Sequence, residues 1–303
     1  MSPTPPTVSV IMPAYNAKRY VEQTIRSVLA QTFVDFEFII VDDGSSDGTL
    51  PILQRFAAED ARIVVISRPN TGIVGALNDG IAKARGEFLA RMDADDVCLP
   101  ERFAKQVAYL REHPECVGVG TFVETIDPYG SVLDRLVHQT EHDAIDKELM
   151  TGRGFAIVHP TIMMRAEAVR RVGGYRKQWQ HSEDLDLFLR LAEIGKLHNL
   201  PEYLLQYRMH YESANHLRHE EQRAIKRKLM EEAYARRGMQ IPPEMMFTRR
   251  YPPPKFDQTC TWGWRALRIG NRAAARQHAL DAIKMGPFKP AAWRLAVCAV
   301  RGR

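Results

Sequence analysis

The sequence predicts an α/β fold in which helices cover both faces of a mainly parallel sheet. Short apolar runs alternate with helix-like segments from residue 8 to about residue 119, as strands and helices do in such folds. Each strand-like run is nearly continuous in apolar residues, which is typical of strands that are buried on both faces. A chain of 303 residues is long enough for one large domain of this kind and an appendage.

The elements of the first half follow one another in a regular order. The first strand, 8–12, is rich in β-branched residues, and Pro13 ends it. The polar, glycine-containing stretch 42–49 is a loop between a strand and the next helix. The further elements predicted here are helix 19–30, strand 36–41, strand 63–66, helix 75–84, strand 88–92, helix 100–113 and a strand that begins at 117–119.

The second half is less regular. Residues 121–140 resemble a β-hairpin that reaches towards an acceptor, and consecutive prolines at 242–254 interrupt a charged helical region. Helices are predicted at 142–150, 166–172, 182–194, 262–269, 273–284 and 290–300. The small residues of 273–282 resemble a degenerate tetratricopeptide unit, which cannot bury its own face alone. We therefore expect a disordered lead at 1–7, a main domain at 8–215 and a basic helical region at 216–303.

Composition excludes several classes of protein. Hydrophobic residues make up 45% of the chain and charged residues 26%, which is ordinary for a globular protein. We find neither an apolar run of about 20 residues that would span a bilayer nor a signal peptide. The net charge of +5 lies mainly towards the C-terminus, which predicts peripheral contact with anionic membranes. We expect a cytoplasmic protein, with possible attachment to the inner face of the membrane.

Acidic residues follow two of the predicted strands. Asp93, Asp95 and Asp96 come directly after strand 88–92, and Asp42-Asp43 ends strand 36–41. Crowded carboxylates repel one another unless a cation or a proton lies between them. Ligands of parallel sheets bind beyond the carboxyl ends of the strands, and Mg²⁺ or Mn²⁺ takes oxygen ligands and bridges to phosphates. These loops predict a metal-assisted reaction on a phosphorylated substrate.

Several separated motifs, in order, resemble the family-two glycosyltransferases with the GT-A fold. The matching segments are VSVIMPAYN (8–16), SVLAQT (27–32), VDDGSSDGT (41–49), NTG (70–72), ALN (76–78), ARGE (84–87), DADD (93–96), GGY (173–175), SEDLDL (182–187) and YRMH (207–210). The resemblance covers roughly residues 8–215. It implies inverting transfer of a sugar from a nucleotide donor to a hydroxyl group, with UDP as one candidate nucleotide.

The resemblance also assigns a metal site. Asp95 is the expected direct ligand of Mg²⁺ or Mn²⁺, while Asp93 faces the ribose or donor sugar and is a second candidate ligand. His210 is a further candidate, since relatives can supply a diphosphate or metal contact at this position. The role of Asp96 stays open between ligand and loop anchor. A divalent ion here would neutralise the charge that develops on the leaving diphosphate.

A carboxylate must take the proton of the attacking hydroxyl. Asp184 matches the family's base, and Glu183 is the second candidate. Ser182 is a suitable N-cap that places both residues in the first turn of a helix, where the dipole favours an ionised carboxylate. Asp186 is interpreted as structural.

The donor is expected to lie over the ends of the first two strands. Pro13, Ala14 and Tyr15 are expected to line the base and ribose pocket, while Asn16 fixes the turn. The remaining expected donor contacts are Asp42, Asp43, which is the contact to a uracil-type base, Asn78, which holds a loop or touches the donor, and Arg91, which pairs with a carboxylate or reaches a phosphate. His159 stays open between a structural and a functional role.

Three alternative functions explain the sequence less well than a glycosyltransferase does. A sugar nucleotidyltransferase would show a glycine-rich loop where this chain has Pro13-Ala14-Tyr15-Asn16. A sugar-nucleotide-binding protein without catalysis would not need both Asp95 and Asp184. A nucleic-acid-binding protein would leave the acidic loops unexplained, so we expect no nucleic acid partner. The expected acceptor is a glycan or a lipid-linked precursor in the synthesis of a bacterial surface polysaccharide.

Overall fold

The structure, a computed structural model, describes residues 4–211, 219–242 and 253–302. Parts of three predictions lie outside these residues: the start of the lead at 1–3, the start of the C-terminal region at 216–218, and most of the proline-rich break at 243–252. The chain forms two compact units. The first comprises the described parts of 1–123, 137–205 and 220–247, and the second those of 124–136, 206–219 and 248–303.

The helices and strands alternate in the first half of the chain, as predicted. The strands are β1 (Val8–Ala14), β2 (Phe36–Asp42), β3 (Ile63–Ser67), β4 (Phe88–Arg91), β5 (Val97–Cys98), β6 (Cys116–Ile126), β7 (Val132–Leu136), β8 (Met163–Arg165) and β9 (Lys196–Arg208). The helices are α1 (Val21–Leu29), α2 (Thr49–Glu59), α3 (Ile73–Lys83), α4 (Arg102–Glu112), α5 (His142–Leu149), α6 (Ala166–Arg171), α7 (Glu183–Ala192), α8 (His219–Arg236), α9 (Lys255–Arg268), α10 (Arg272–Met285) and α11 (Pro290–Arg301). No helix of the described residues has both the length and the apolar character needed to cross a bilayer.

The strands form one sheet in the order β3-β2-β1-β4-β8-β6-β9-β5, with β7 paired to β6. The pairs among β3, β2, β1 and β4 are parallel, whereas β8 runs antiparallel to both β4 and β6. The predicted α/β class is confirmed, and the parallel part of the sheet consists of β3, β2, β1 and β4. The sheet becomes mixed at β8, because β8 lies between β4 and β6 and runs antiparallel to both.

Helices cover both faces of the parallel strands. Ile11, Ile39 and Val41 share one hydrophobic cluster with Leu77 of α3. Val10, Met12, Phe38 and Ile40 alternate with them and are equally inaccessible, so they face the other side of the sheet. On that side the Phe36 ring meets Phe103 of α4 edge-on, with 5.7 Å between the ring centroids. Burial on both faces explains why these strands are apolar throughout.

The strand register places the acidic loops at one edge of the sheet. Ala14 at the end of β1 lies opposite Asp42, and Asp42 lies opposite Ser67 at the end of β3. Ile11 lies opposite Arg91 at the end of β4. The loops that begin at residues 43 and 92 therefore leave the sheet on the same side, as the sequence predicted.

Helix α8 belongs to the first unit by packing, although the sequence grouped everything from residue 216 onward. Leu229, Met230, Ala233 and Tyr234 are buried in the same hydrophobic cluster as α7. Arg237, just after the helix, pairs with Asp146 of α5 through two bonds of 2.7 and 2.8 Å. Long-range packing of this kind cannot be deduced from the local charge of the helix.

The second unit joins the β6–β7 hairpin to helices α9, α10 and α11. His278 Nε2 lies 2.8 Å from Asp127 Oδ2 within this unit, and both side chains are fully buried. Asp127 Oδ1 also accepts the backbone N–H groups of Tyr129 and Ser131, each at 2.8 Å, and so closes the hairpin turn. The predicted hairpin is therefore present, and its tip is held against α10. Its predicted reach towards an acceptor stays a prediction.

Candidate active site

The acidic loop after β4 brings three carboxylates together. Oxygen atoms of Asp93, Asp95 and Asp96 all lie within 4.8 Å of one another. Like charges at such distances repel and favour a cation between them. Three carboxylate oxygens are a donor set that suits a hard divalent ion such as Mg²⁺ or Mn²⁺. The cluster therefore fits the predicted metal site, and it includes both Asp95 and Asp93.

Hydrogen bonds from three other elements hold this loop in place. Thr24 Oγ1 of α1 donates to the Asp96 carbonyl at 2.7 Å. Arg102 Nη2 of α4 donates to the Arg91 carbonyl at 2.9 Å, and the Met92 N–H donates to the Ile11 carbonyl at 3.0 Å. Asp96 itself is 1% exposed. Because the loop backbone is fixed from several sides, the carboxylates stay close together despite their repulsion.

The buried Arg91 pairs with the half-buried Asp93, which is one of the two roles predicted for it. Burial lowers the pKa of the Arg91 guanidinium, but Asp93 outweighs this effect and the pKa lies above its ordinary value. Burial, opposed by Arg91, raises the pKa of Asp93, and the neighbouring charges of Asp95 and Asp184 raise it further. A bound cation would favour the ionised form of this carboxyl instead.

Asp184 and Glu183 lie in the first turn of α7, as predicted. Ser182 holds the N-cap position, but its hydroxyl donates to the His181 carbonyl at 2.8 Å instead of capping the helix. Asp184 Oδ1 accepts the Leu185 N–H at 2.7 Å. A Cβ atom at Gly154 would lie 3.3 Å from Asp184 Oδ2, so this glycine leaves room beside the carboxylate. The charge of Asp184 acts on Asp93, which places the candidate base near the acidic cluster.

Glu183 is a buried carboxyl with a raised pKa. It is 8% exposed, and burial together with the charge of Asp184 raises its pKa to about 7. Ionising both neighbours would leave two negative charges side by side in a poorly solvated place. Glu183 therefore takes up a proton close to neutral pH.

Replacing Glu183 should change the pH dependence of stability. A carboxyl whose pKa rises from 4.5 unfolded to about 7 folded costs nothing below pH 4.5 and destabilises the fold as the pH rises towards 7. We expect Glu183→Gln to be neutral near pH 4.5 and to raise the free energy of unfolding by about 3 kcal/mol at about pH 8. Urea unfolding in metal-free buffer measures this difference. Glu167→Gln, at an exposed first-turn position of α6, is the control. Its free energy of unfolding should equal that of the wild type at each pH.

Asp186 forms ion pairs with two arginine residues and anchors α7. Its carboxylate is 1% exposed and contacts Arg190 Nη2 at 2.6 Å. Arg176 Nε donates to it at 3.1 Å, and Arg176 Nη1 donates to Glu232 of α8 at 2.7 Å. These pairs tie α7 to α8 and agree with the structural role predicted for Asp186.

Tyr175 links three parts of the site, although the sequence assigned no role to it. Asn78 Nδ2 donates to the Tyr175 carbonyl at 2.8 Å, and the Tyr175 N–H donates to Asn78 Oδ1 at 3.0 Å. The Tyr175 hydroxyl lies 2.7 Å from His159 Nε2. Asn78 therefore holds the loop, the first of its two predicted roles. Burial lowers the pKa of His159 well below its ordinary value, so His159 is a neutral hydrogen-bonding residue. In the sequence, only the neighbouring Gly173-Gly174 pair draws attention to the loop that carries Tyr175.

The residues predicted to line the nucleotide pocket lie at the ends of β1 and β2. Tyr15 is 55% exposed beside the buried Ala14 and the half-buried Pro13. Asn16 adopts a left-handed conformation with φ of 50°, which asparagine tolerates. Its side chain accepts the Ser46 N–H at 2.9 Å, and its own N–H donates to Ser45 Oγ at 3.0 Å. Asn16 thus joins the two strand-end loops.

Asp42 and Asp43 both order the loops around them. Asp43 accepts the N–H groups of Thr71 at 3.1 Å and Gly72 at 2.9 Å, and its carboxylate pairs with Arg68 Nε at 3.2 Å. Asp42 accepts the Ser67 hydroxyl at 3.2 Å. The sequence did not identify Arg68, because nothing in the chain marks its pairing with Asp43. The expected donor contacts of both acidic residues stay predictions.

His210 and Lys226 are two further polar residues with a candidate role. His210 is half-buried and belongs to the second unit, and its metal role stays a prediction. Lys226 of α8 was missed: it is half-buried, burial lowers its pKa, and the charge of Asp184 opposes that shift. No sequence signal separates Lys226 from the neighbouring Arg227 and Lys228, since only packing selects which basic residue of the run is half-buried.

The sequence matches a known family over more than half of its length. The family model for glycosyl transferase family 2 matches residues 9–173. EpsE of Bacillus subtilis (strain 168), a protein named as a glycosyltransferase, is 37% identical over 208 residues, 67% of this chain and 73% of that protein. The O-antigen biosynthesis glycosyltransferase WbnJ of Escherichia coli is 35% identical over 210 residues, 68% of this chain and 81% of that protein.

Solved structures with the same fold are more distant in sequence. S. aureus TarS 1–349 in complex with UDP-GlcNAc aligns with a TM-score of 0.62 at 17% identity, over 97% of this chain and 79% of that chain. The mannosyltransferase PcManGT of Pyrobaculum calidifontis, in complex with GDP-Man and Mn²⁺, aligns with a TM-score of 0.56 at 19% identity, over 99% and 81%. At these identities the likeness establishes the fold.

Proposed function

The chain belongs to glycosyl transferase family 2, and from this premise we propose that it transfers a sugar with inversion from a nucleotide-diphosphate sugar to a hydroxyl group. One observation carries the proposal: the carboxylates of Asp93, Asp95 and Asp96 converge directly after β4, at the edge where the parallel strands end. The catalytic domain is 8–215, and α8 packs on it. UDP is the candidate nucleotide.

Asp95 and Asp93 would hold the metal ion. Three convergent carboxylates support this role, as does the fold shared with a transferase whose complex contains Mn²⁺. A bound Mg²⁺ or Mn²⁺ supplies positive charge where the leaving diphosphate becomes more negative. The chain's own contribution is to fix the carboxylates in a rigid loop and to keep Arg91 paired with Asp93. Such preorganised charge stabilises the transition state without further reorganisation.

Asp184 is the general base. It would accept the proton of the acceptor hydroxyl while the oxygen attacks the anomeric carbon from the face opposite the diphosphate, which inverts the configuration. Its place in the first turn of α7, where the helix dipole favours an ionised carboxylate, supports this role. Glu183 is the second candidate for the base.

The acceptor is a glycan or a lipid-linked precursor of a bacterial surface polysaccharide. The O-antigen relative supports this class of acceptor. The enzyme would act in the cytoplasm, with peripheral contact to the anionic inner face of the membrane. The basic residues of the C-terminal helices support that contact.

A thermal-shift screen with Mn²⁺ and a panel of nucleotide sugars tests the proposed function. We expect one or a few UDP-sugars to raise the Tm by several degrees, since a ligand that binds only the folded state stabilises it. Slow hydrolysis of the same donor should follow, and it should depend on Mn²⁺. A sugar nucleotidyltransferase would instead release pyrophosphate from a nucleoside triphosphate and a sugar phosphate. A binding protein without catalysis would be stabilised by the donor and leave it intact.

A further inference from the structure

The last helix of the second unit presents an apolar stripe. Trp293, Val297 and Val300 of α11 are 53%, 47% and 67% exposed. Their spacing of four and three residues places them on one helix face. Phe288, in the turn before the helix, is 97% exposed. The opposite face carries the buried residues Ala292, Leu295 and Ala299.

Basic residues flank this stripe in the sequence. Residues 282–303 include Lys284, Lys289, Arg294, Arg301 and Arg303 and contain neither aspartate nor glutamate. Arg294 and Arg301 are exposed on α11 itself. Lys289 Nζ lies 4.0 Å from the centre of the Phe256 ring of α9, which keeps a positive charge beside Phe288. The surface is therefore both apolar and strongly positive.

The indole of Trp293 is fixed in an orientation that leaves its ring accessible. Its Nε1–H donates to the Pro287 carbonyl at 2.7 Å. The polar group of the indole is thus satisfied by the turn that carries Phe288. An amphipathic aromatic residue with a satisfied N–H is typical of the region between lipid headgroups and acyl chains.

We propose that α11 and Phe288 form the surface by which this protein docks on an anionic lipid bilayer. Trp293, Val297, Val300 and Phe288 enter the headgroup–acyl boundary, while the flanking lysine and arginine residues contact anionic headgroups. A second copy of the chain is a poorer occupant, because self-association through this face would bring two sets of like charges together. The inference specifies the membrane contact of the proposed function and does not depend on which sugar is transferred.

Vesicle co-sedimentation with matched variants tests the docking surface. We expect the wild-type chain to bind vesicles that contain phosphatidylglycerol at low salt and not vesicles of phosphatidylcholine alone. Val300→Asp should lower the partition coefficient about tenfold, since it removes apolar contact and adds a repelled charge. Val34→Asp is the matched control, because Val34 is 69% exposed in the first unit, and its binding should equal that of the wild type.

Donor hydrolysis, measured on the same three proteins without vesicles, separates this inference from the proposed function. We expect equal hydrolysis in all three, and an unchanged far-UV circular dichroism spectrum shows that the helices of Val300→Asp are folded. Equal vesicle binding by Val300→Asp and the wild type would overturn the docking surface. So would a concentration-dependent dimer that Val300→Asp dissociates in the absence of lipid. Lack of hydrolysis with intact lipid binding would instead count against the proposed function and leave the docking surface standing.

Discussion

Asp184→Asn should lower kcat for sugar transfer about 10³-fold, within the range usual for loss of a general base. The amide keeps the shape of the side chain but cannot accept the proton of the acceptor hydroxyl. It can still accept the Leu185 N–H through its carbonyl oxygen, so α7 should keep its first turn. Steady-state transfer with saturating donor and Mn²⁺ measures the loss, and thermal shift should show unchanged donor binding.

Asp143→Asn is the matched control for this prediction. Asp143 occupies the same first-turn position of α5 and is exposed, so the variant should retain full turnover. If Asp184→Asn and Asp143→Asn transfer sugar at similar rates, Asp184 is not the base. If Glu183→Gln shows the large loss in its place, the second candidate holds the role.

Asp95→Ala should lower turnover at least 100-fold and remove the stabilisation that Mn²⁺ gives to the protein. A metal at 100 times its dissociation constant stabilises the folded state by about 2.7 kcal/mol, so the loss is measurable without any substrate. In metal-free buffer the variant should be at least as stable as the wild type, because one of the three repelling carboxylates within 4.8 Å is gone.

Thermal unfolding with and without Mn²⁺, together with donor hydrolysis, checks the metal site. Asp257→Ala, at an exposed position in the first turn of α9, is the control and should keep both the stabilisation and the turnover. A full Mn²⁺-induced shift in Asp95→Ala would contradict the assignment of this residue to the metal. A lost shift with normal turnover would show that the ion is bound there but is not needed for transfer.

The strands and their acidic ends could be predicted from the sequence because both are local signals. Burial on both faces makes the strand residues of β1, β2 and β4 apolar, and parallel pairing brings their carboxyl ends to one edge. The left-handed turn at Asn16 also follows from the residue type. The partner of Asn16 was not foreseeable: its side chain bonds the loop after β2, thirty residues away.

The roles of individual polar residues needed the tertiary structure. Arg91, for which the sequence leaves two roles open, pairs with Asp93. The side-chain amide of Asn78 donates to the Tyr175 carbonyl and accepts the Tyr175 N–H. Ser182 was expected to cap α7 and bonds His181 instead. Each outcome depends on which groups burial leaves without water, and burial is set by contacts between distant segments.

By itself, the sequence determined the α/β class, the edge of the sheet that carries the site, and the acidic residues that lie there. Only the tertiary structure decided that β8 runs antiparallel to β4, that α8 packs in the same hydrophobic cluster as α7, and that burial raises the pKa of Glu183. The physical reason is the distance along the chain over which each effect acts. Periodicity and strand ends depend on a few neighbouring residues, whereas desolvation and ion pairing arise between residues that only folding brings together.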